Sequence, residues 1–351
     1  MTVYRPSLDR LTSLVELLGP GPWVRGQILG AGWSPDQLER AVASGILERL
    51  RRGVYAVPPP VAAAQQLSIP FDSRLARMRA VARSLDGTAA FSHDSAAHAH
   101  GQWNPHPPSS LLHVTIPGQS DRQDAGLQVH GTTLPEEFVT VVDGVRVTTV
   151  ARTAADMARG GGLPAALVLM DGALRLLLAR RISDLERRLR SGAVPASVVE
   201  SVRSMLSEAA DPMLGWAGSR TLQAGIRHAD PASASAFESW SRGWMIAVGL
   251  PRPQLNVPVF GASGRRYFGD FVWREHGVIG EADGVGKYGA TGREIRAALS
   301  GERERQTDLE RAGWRVVRWV TGDPGAQVVA RVSRTLYLGP RRPARTLGLE
   351  A

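Results

Sequence analysis

The 351-residue chain has no cysteine, which removes disulfides, cysteine-ligated zinc and nucleophilic thiol chemistry. Lysine is nearly absent: 41 of the 42 basic residues are arginine, and the single exception is Lys287. Long apolar runs are also missing. The longest, near 163–170, ends at Asp171, short of the roughly 20 residues a membrane span needs. The opening MTVYRPSLDRLTSL places Asp9 where the apolar run of a secretory signal would begin. These absences predict a cytoplasmic protein without a membrane partner. Acidic residues are outnumbered, and the formal charge of +9 points to a polyanion, with nucleic acid as the leading candidate. With 43% hydrophobic and 21% charged residues the chain can bury proper cores, and its length asks for two or three domains.

The fold class read from the sequence is α/β multidomain. A winged helix-turn-helix is expected over 1–60 and a mixed α+β middle region over 61–160. A helical connector comes next over 161–209, then a restriction-endonuclease-like α/β domain over 210–340 and a basic tail over 341–351.

The first segment gives the charge a shape. Val24–Gly30 reads as a short helix, followed by a glycine turn at Ala31-Gly32-Trp33. Ser34 is placed as N-cap, Pro35 at the first helical position and Gln37 to close a capping box, with Gly45 as the stop. Ile46–Arg52 and Val54–Val57 then form two strands around a basic turn. In a winged helix-turn-helix the second helix enters the major groove, offering Gln37 and Arg40, while Arg49, Arg51 and Arg52 meet phosphates. The pattern QILGAGWSPDQLERAVASGILERLRRGVYAVP resembles the N-terminal domain of AbiEi-type antitoxins, the antitoxin half of type IV toxin–antitoxin systems. That resemblance implies double-stranded DNA as partner, autoregulation and a cognate toxin; a palindromic operator would favour a homodimer.

The middle region reads as a helix over Leu75–Leu85, a helix within 91–100 capped by Ser92 or Asp94, strands at Leu112–Ile116, Leu127–Gly131 and Val145–Thr149, and a helix starting at Arg152. The segments SAAHAHG, VTIPG and ARTAADMA resemble the stretch after the wing in the same antitoxin-like proteins. His93, His98, His100 and His113 raise a metal reading, but none has the i, i+4 spacing of a helical zinc pair. Packing and capping are the expected roles. Arg152 and Asp156 are spaced for an intrahelical ion pair.

The C-terminal part carries the densest chemistry. Strands at 257–260 and 265–273 join across Gly261–Gly264, and the four-residue turn 274–277 leads into Val278–Asp283. That turn pairs Trp273 with Val278 and so puts Asp270 opposite Glu281, with Asp283 on the same face. Like charges placed opposite cost stability, a sign that a divalent cation would reverse, and carboxylate oxygens suit Mg2+ or Mn2+. Glu238 lies on a helix whose core stripe would be Phe237, Trp240, Trp244 and Val248, spaced for an ordinary i+4 pair with Arg242.

At these residues the chain resembles the PD-(D/E)XK nuclease superfamily, in the branch similar to very-short-patch-repair endonucleases. The resemblance spans roughly 210–340 through FESWSRGWMIAVGLPRPQ, RRYFGDFVW, GEADGVGKYG and ERERQTDLERAGWRVVRW. It implies Glu238, Asp270 and Glu281 as metal ligands, Mg2+ or Mn2+ as cofactor, and phosphodiester hydrolysis. The superfamily lysine would fall at 283, which here is aspartate. Asp283 would then assist as ligand or water-orienting group, and Lys287 would supply the ammonium. The alternative is an AbiEi-like autoregulator whose nuclease fold is degenerate.

Overall fold

The computed structural model describes residues 8–19, 21–58, 73–83, 85–124, 126–284 and 292–338, and the chain divides into two compact units. The first takes the residues up to Gly101 together with Pro107–Thr153; the second takes Gln102–His106 and the residues from Ala154 onward.

The first unit begins with helix α1 (Leu8–Leu18), strand β1 (Trp23–Val24), helices α2 (Arg25–Gly30) and α3 (Pro35–Ala43), and a hairpin of β2 (Glu48–Arg51) and β3 (Val54–Ala56). The start of α3 is as expected: Gln37 N–H donates to Ser34 Oγ at 3.2 Å, Ser34 N–H donates to Gln37 Oε1 at 2.9 Å, and Pro35 leads the helix. The expected hairpin gains a third strand from β1, giving the order β1-β3-β2. Leu11, Leu14, Trp23, Ile28, Leu38 and Leu47 close a core of their own beneath it.

A second core lies in the same unit. Helices α4 (Ser73–Ala82) and α5 (His93–His100) accompany a six-stranded mixed sheet of β4 (Ala90–Phe91), β5 (Leu112–Thr115), β6 (Arg122–Asp124), β7 (Leu127–His130), β8 (Val139–Val142) and β9 (Val145–Thr148), ordered β6-β7-β5-β4-β9-β8. Alternation in β5, β7 and β9 buries Val114, Val129 and Val147 on the α4 side of the sheet. Strand β6 lies between the expected strands Leu112–Ile116 and Leu127–Gly131, where none is expected.

The second unit starts with a helical layer. Helix α6 (Val150–Ala158) runs into it, followed by α7 (Gly162–Ala179), α8 (Leu185–Arg190), α9 (Ala196–Ala210), α10 (Ser219–His228) and α11 (Ala236–Ala247). By length and composition α7 is the one described helix apolar enough to cross a membrane, but it is the central helix of this layer, packed by α9, α10 and α11. It is buried on nearly every side, within the stretch expected as a helical connector.

Helix α11 corrects the expected core stripe. Val248 is 52% exposed, and the buried face carries Glu238, Ser239, Ser241, Arg242, Gly243 and Met245. Phe237, Trp240 and Trp244 stay half-buried, Phe237 against the sheet core, and small side chains let the adjoining face bury more deeply. A Cβ at Gly243 would come within 2.4 Å of the Pro164 Cα, so only glycine permits this approach of α11 to α7. The close contact seats Arg242 over α7, where its NH2 donates to both Asp171 oxygens at 2.8 and 2.7 Å and its NH1 donates to the His228 carbonyl at 2.7 Å. Arg242 therefore does not serve Glu238.

The final layer is a four-stranded sheet, β10 (Gln254–Phe260), β11 (Arg266–Trp273), β12 (Val278–Asp283) and β13 (Arg315–Val320), with helices α12 (Gly292–Arg311) and α13 (Gly325–Tyr337). The first three strands are antiparallel and β13 joins β12 in parallel. Trp273 pairs with Val278 as the turn length predicts, and Gly277 closes that turn at φ +60, a left-handed conformation that glycine adopts without strain.

Candidate functional site

The sheet registers lay out one row of polar side chains across four strands. Leu255 pairs with Phe271 and Val257 with Gly269, so Asn256 stands opposite Asp270. Phe271 pairs with Gly280, which sets Asp270 opposite Glu281, and Glu281 pairs in turn with Arg318. Residues opposite each other share a face, so the row runs amide, carboxylate, carboxylate, guanidinium. Asp270 Oδ2 accepts the Ala282 N–H at 2.9 Å, fixing the carboxyl beside β12.

Glu238 reaches this row from the start of α11. Its carboxylate accepts from Ala234 N–H at 2.8 Å, Ser235 Oγ at 3.0 Å and Asn256 Nδ2 at 2.8 Å. Asn256 holds a left-handed φ of +49, which asparagine tolerates better than most residues, and its amide also donates to the Ala232 carbonyl at 2.8 Å. Three donors and a helix start are a sound structural reason for a glutamate here, so Glu238 positions the entry into α11 as well as facing the sheet.

Glu281 is 1% exposed and its Oε1 accepts from Arg305 NH2 at 2.8 Å. Arg305 also donates to the Phe268 carbonyl. Arg318 NH1 lies 3.4 Å from Asp283 Oδ2 and bonds Glu302. Burial first, and then the charge of Asp270, push Glu281 up to about 7, although Arg305 and Arg318 pull the other way. Glu238 is raised for the same two reasons, burial ahead of Asp270. The two glutamates thus both feel the Asp270 carboxylate, and the acids expected from the sequence share one electrostatic environment. Lys287 lies outside the described residues. Arg305, Arg318 and Asn256 join the site without having been singled out by sequence, although both arginines fall within the nuclease-like segment ERERQTDLERAGWRVVRW.

As a donor set, these carboxylates fit a hard divalent cation in kind. Among the described residues, however, the trio of potential ligands whose donor atoms all lie within 4.8 Å of one another is made of histidines, His93, His113 and His130.

Beside the row on β11, a cavity of about 430 Å3 is lined by Glu186, Arg187, Arg190, Ser191, Arg266 and Phe268. The guanidinium carbons of Arg190 and Arg266 each lie 5.6 Å from the Phe268 ring centre. Phe268 and Asp270 share one face of the strand, so arginines border the acidic row.

In the first unit, Arg40, Arg49 and Arg52 are exposed and Gln37 is half-buried. Arg51 ends β2, at a register shift between Arg49 and Arg51. Gln37 uses its Oε1 in the capping box, and Arg40 Nε donates to the Asp36 carbonyl at 3.0 Å. Exposed Asp36 and Glu39 share α3 with Arg40, and exposed Glu48 shares the hairpin with Arg49 and Arg52.

The chain is 27% identical over 308 residues to "Uncharacterized protein Rv2248" of Mycobacterium tuberculosis (strain ATCC 25618 / H37Rv), an alignment covering 86% of this chain and 96% of that protein. "Uncharacterized protein MT2308" of strain CDC 1551 / Oshkosh matches to the same extent. Among solved structures, the crystal structure of RV2827C protein from Mycobacterium tuberculosis is similar with a TM-score of 0.36 at 16% identity, covering 63% of this chain and 82% of that one. Residues 25–58, which hold α2, α3 and the basic hairpin, match the family described as transcriptional regulator, AbiEi antitoxin.

Proposed function

We propose that this protein is a DNA-binding regulator of the AbiEi-antitoxin kind, reading duplex DNA with its N-terminal helices and hairpin. The observation that carries the reading is the coincidence of the matched segment with one built unit: two helices joined by a tight turn, a three-stranded sheet in the order β1-β3-β2, and arginines on the hairpin. That layout supports a winged helix-turn-helix reading. Helix α3 would enter the major groove with Arg40 at its exposed edge, and Arg49, Arg51 and Arg52 would lie against the phosphates. A cognate toxin is the protein partner this reading implies, and a palindromic operator would bring two copies together.

The test is selection of binding sites from random duplexes followed by a salt titration. With about five phosphate contacts, log K falls with a slope near −4.5 against log salt, and the double variant Arg49→Ala, Arg52→Ala flattens it by about 1.8. A slope near zero in the wild type removes the hairpin from the interface.

A second reading is favoured by Asp270, which presses on both Glu238 and Glu281. In it the acidic row cleaves phosphodiesters. Glu238, Asp270 and Glu281 would hold Mg2+ or Mn2+, which when bound polarises phosphate oxygens and activates water. Arg305 and Arg318 oppose the upward shift of Glu281, Asp283 orients water at the strand end, and Lys287 stabilises negative charge on the phosphate. Supercoiled plasmid incubated with either metal should be nicked, and Asp270→Ala or EDTA should lower the rate by at least about 100-fold. No nicking of supercoiled or single-stranded substrates by the folded wild type would leave the regulator reading alone.

A further inference from the structure

We propose that His93, His113 and His130 form a binding site for a divalent late transition metal, with zinc the best fit. The three residues come from different elements: His93 opens α5, His113 lies on β5 and His130 ends β7. Strands β5 and β7 run parallel with Thr115 opposite His130, so the two strand histidines sit diagonally on one face. Their donor atoms and that of His93 all lie within 4.8 Å of one another, and all three residues are half-buried.

The spacing suits a shared ion. His113 Nδ1 and His130 Nε2 are 3.0 Å apart. Two nitrogens each about 2.0–2.1 Å from one metal are separated by about 3 Å near a right angle and about 3.4 Å at the tetrahedral angle. The pair is therefore already at a ligating separation. His93 supplies the third nitrogen. Its ring stacks on His130 with centroids 3.8 Å apart, so ion binding would turn it out of the stack to bring its in-plane lone pair onto the shared ion, and its backbone is held at φ +49, an uncommon conformation for a residue other than glycine. Strain of this sort persists where the surroundings over-determine a side-chain position.

The outer contacts follow the pattern of metal-binding histidines, whose second nitrogen is oriented by an oxygen. His113 Nε2 lies 3.7 Å from Asp94 Oδ1. Asp94 is itself fixed by Arg74 NH2 at 2.9 Å and by the Ser109 N–H at 2.7 Å. His93 Nδ1 lies 3.0 Å from Ser92 Oγ, which accepts from Thr115 Oγ1 at 2.8 Å. Imidazole is a donor for zinc, cobalt, nickel and copper and a poor one for magnesium, so this site and the carboxylate row call for different ions. Three protein nitrogens leave a fourth tetrahedral position open for water.

The test is titration of the full-length wild type with Co2+ and Zn2+ in the presence of excess Mg2+. One equivalent of Co2+ should give visible d–d absorption that Zn2+ displaces, and hyperfine-shifted proton signals from three imidazoles should appear in the wild type itself. His113→Gln and His130→Gln should each weaken binding by at least about 100-fold, whereas His98→Ala, an exposed histidine on α5, should leave it unchanged. Absence of saturable binding by the wild type overturns the proposal. So does undiminished binding by folded His113→Gln and His130→Gln, or a cobalt spectrum with fewer than three shifted imidazoles.

Discussion

Replacing Asp171 with alanine is expected to destabilise the second unit by about 3–5 kcal/mol, the range for stripping one partner from a buried ion pair. Asp171 is fully buried and Arg242 nearly so, with the guanidinium bonded to both carboxylate oxygens. The Asp171 Oδ1 also accepts the Asp230 N–H at 2.8 Å, so alanine would orphan that amide along with the arginine. Burial pushes the Asp171 carboxyl up, and Arg242 opposes that rise. Urea unfolding monitored by tryptophan fluorescence measures the loss. The double variant Asp171→Leu, Arg242→Met should recover much of it, because no unpaired charge remains. A loss below about 1 kcal/mol for the single variant would show the pair to be dispensable.

The second large effect is a dependence of stability on pH. Glu281 is raised to about 7 in the folded protein against 4.5 for an ordinary glutamate. The folded state therefore holds its proton more tightly than the unfolded chain. Its contribution to stability is undiminished below about pH 4.5 and falls as pH rises through 7, by about 3 kcal/mol in all. In the presence of EDTA, Glu281→Gln should gain on the wild type by that amount between pH 4.5 and 8, measured as the difference of their unfolding free energies at each pH. Subtraction removes the part due to Glu238, which is raised in the same direction. A difference that does not change with pH would mean that Glu281 is solvated. The same carboxylate penalty above pH 7 is what a bound divalent cation would relieve.

Much of the second unit is legible in the sequence because strands announce themselves locally. The tight turn at 274–277 sets the β11–β12 register, and with it Asp270 across from Glu281. The partners of those acids are not legible. Arg305 reaches Glu281 from a helix 24 residues away, and Arg318 arrives through a parallel pairing that no turn length encodes. Helix α11 misleads for a different reason. Its aromatics fall at helical spacing, yet Ser239, Ser241 and Gly243 allow a nearer approach than any aromatic could, and the closer contact decides which face is buried. Spacing along a helix is also the wrong measure for the histidines. His93 finds its neighbours, His113 and His130, on two strands, where no spacing along a helix relates the three.

The parallel union of β12 with β13 also has a consequence for the order of assembly. The first three strands bring Glu281 opposite Asp270, but its cations lie beyond residue 300, and Arg318 comes into line only when the chain after Asp283 has crossed back to dock its fourth strand. Such long-range parallel pairings form late, since loop closure precedes any gain from the contact. On the ribosome, a chain emerged only as far as Asp283 would hold a strand with two carboxylates and no guanidinium to meet them. The sheet should therefore stay open until its last strand arrives, and mutations in β13 should slow folding more than those in the β10–β11 hairpin.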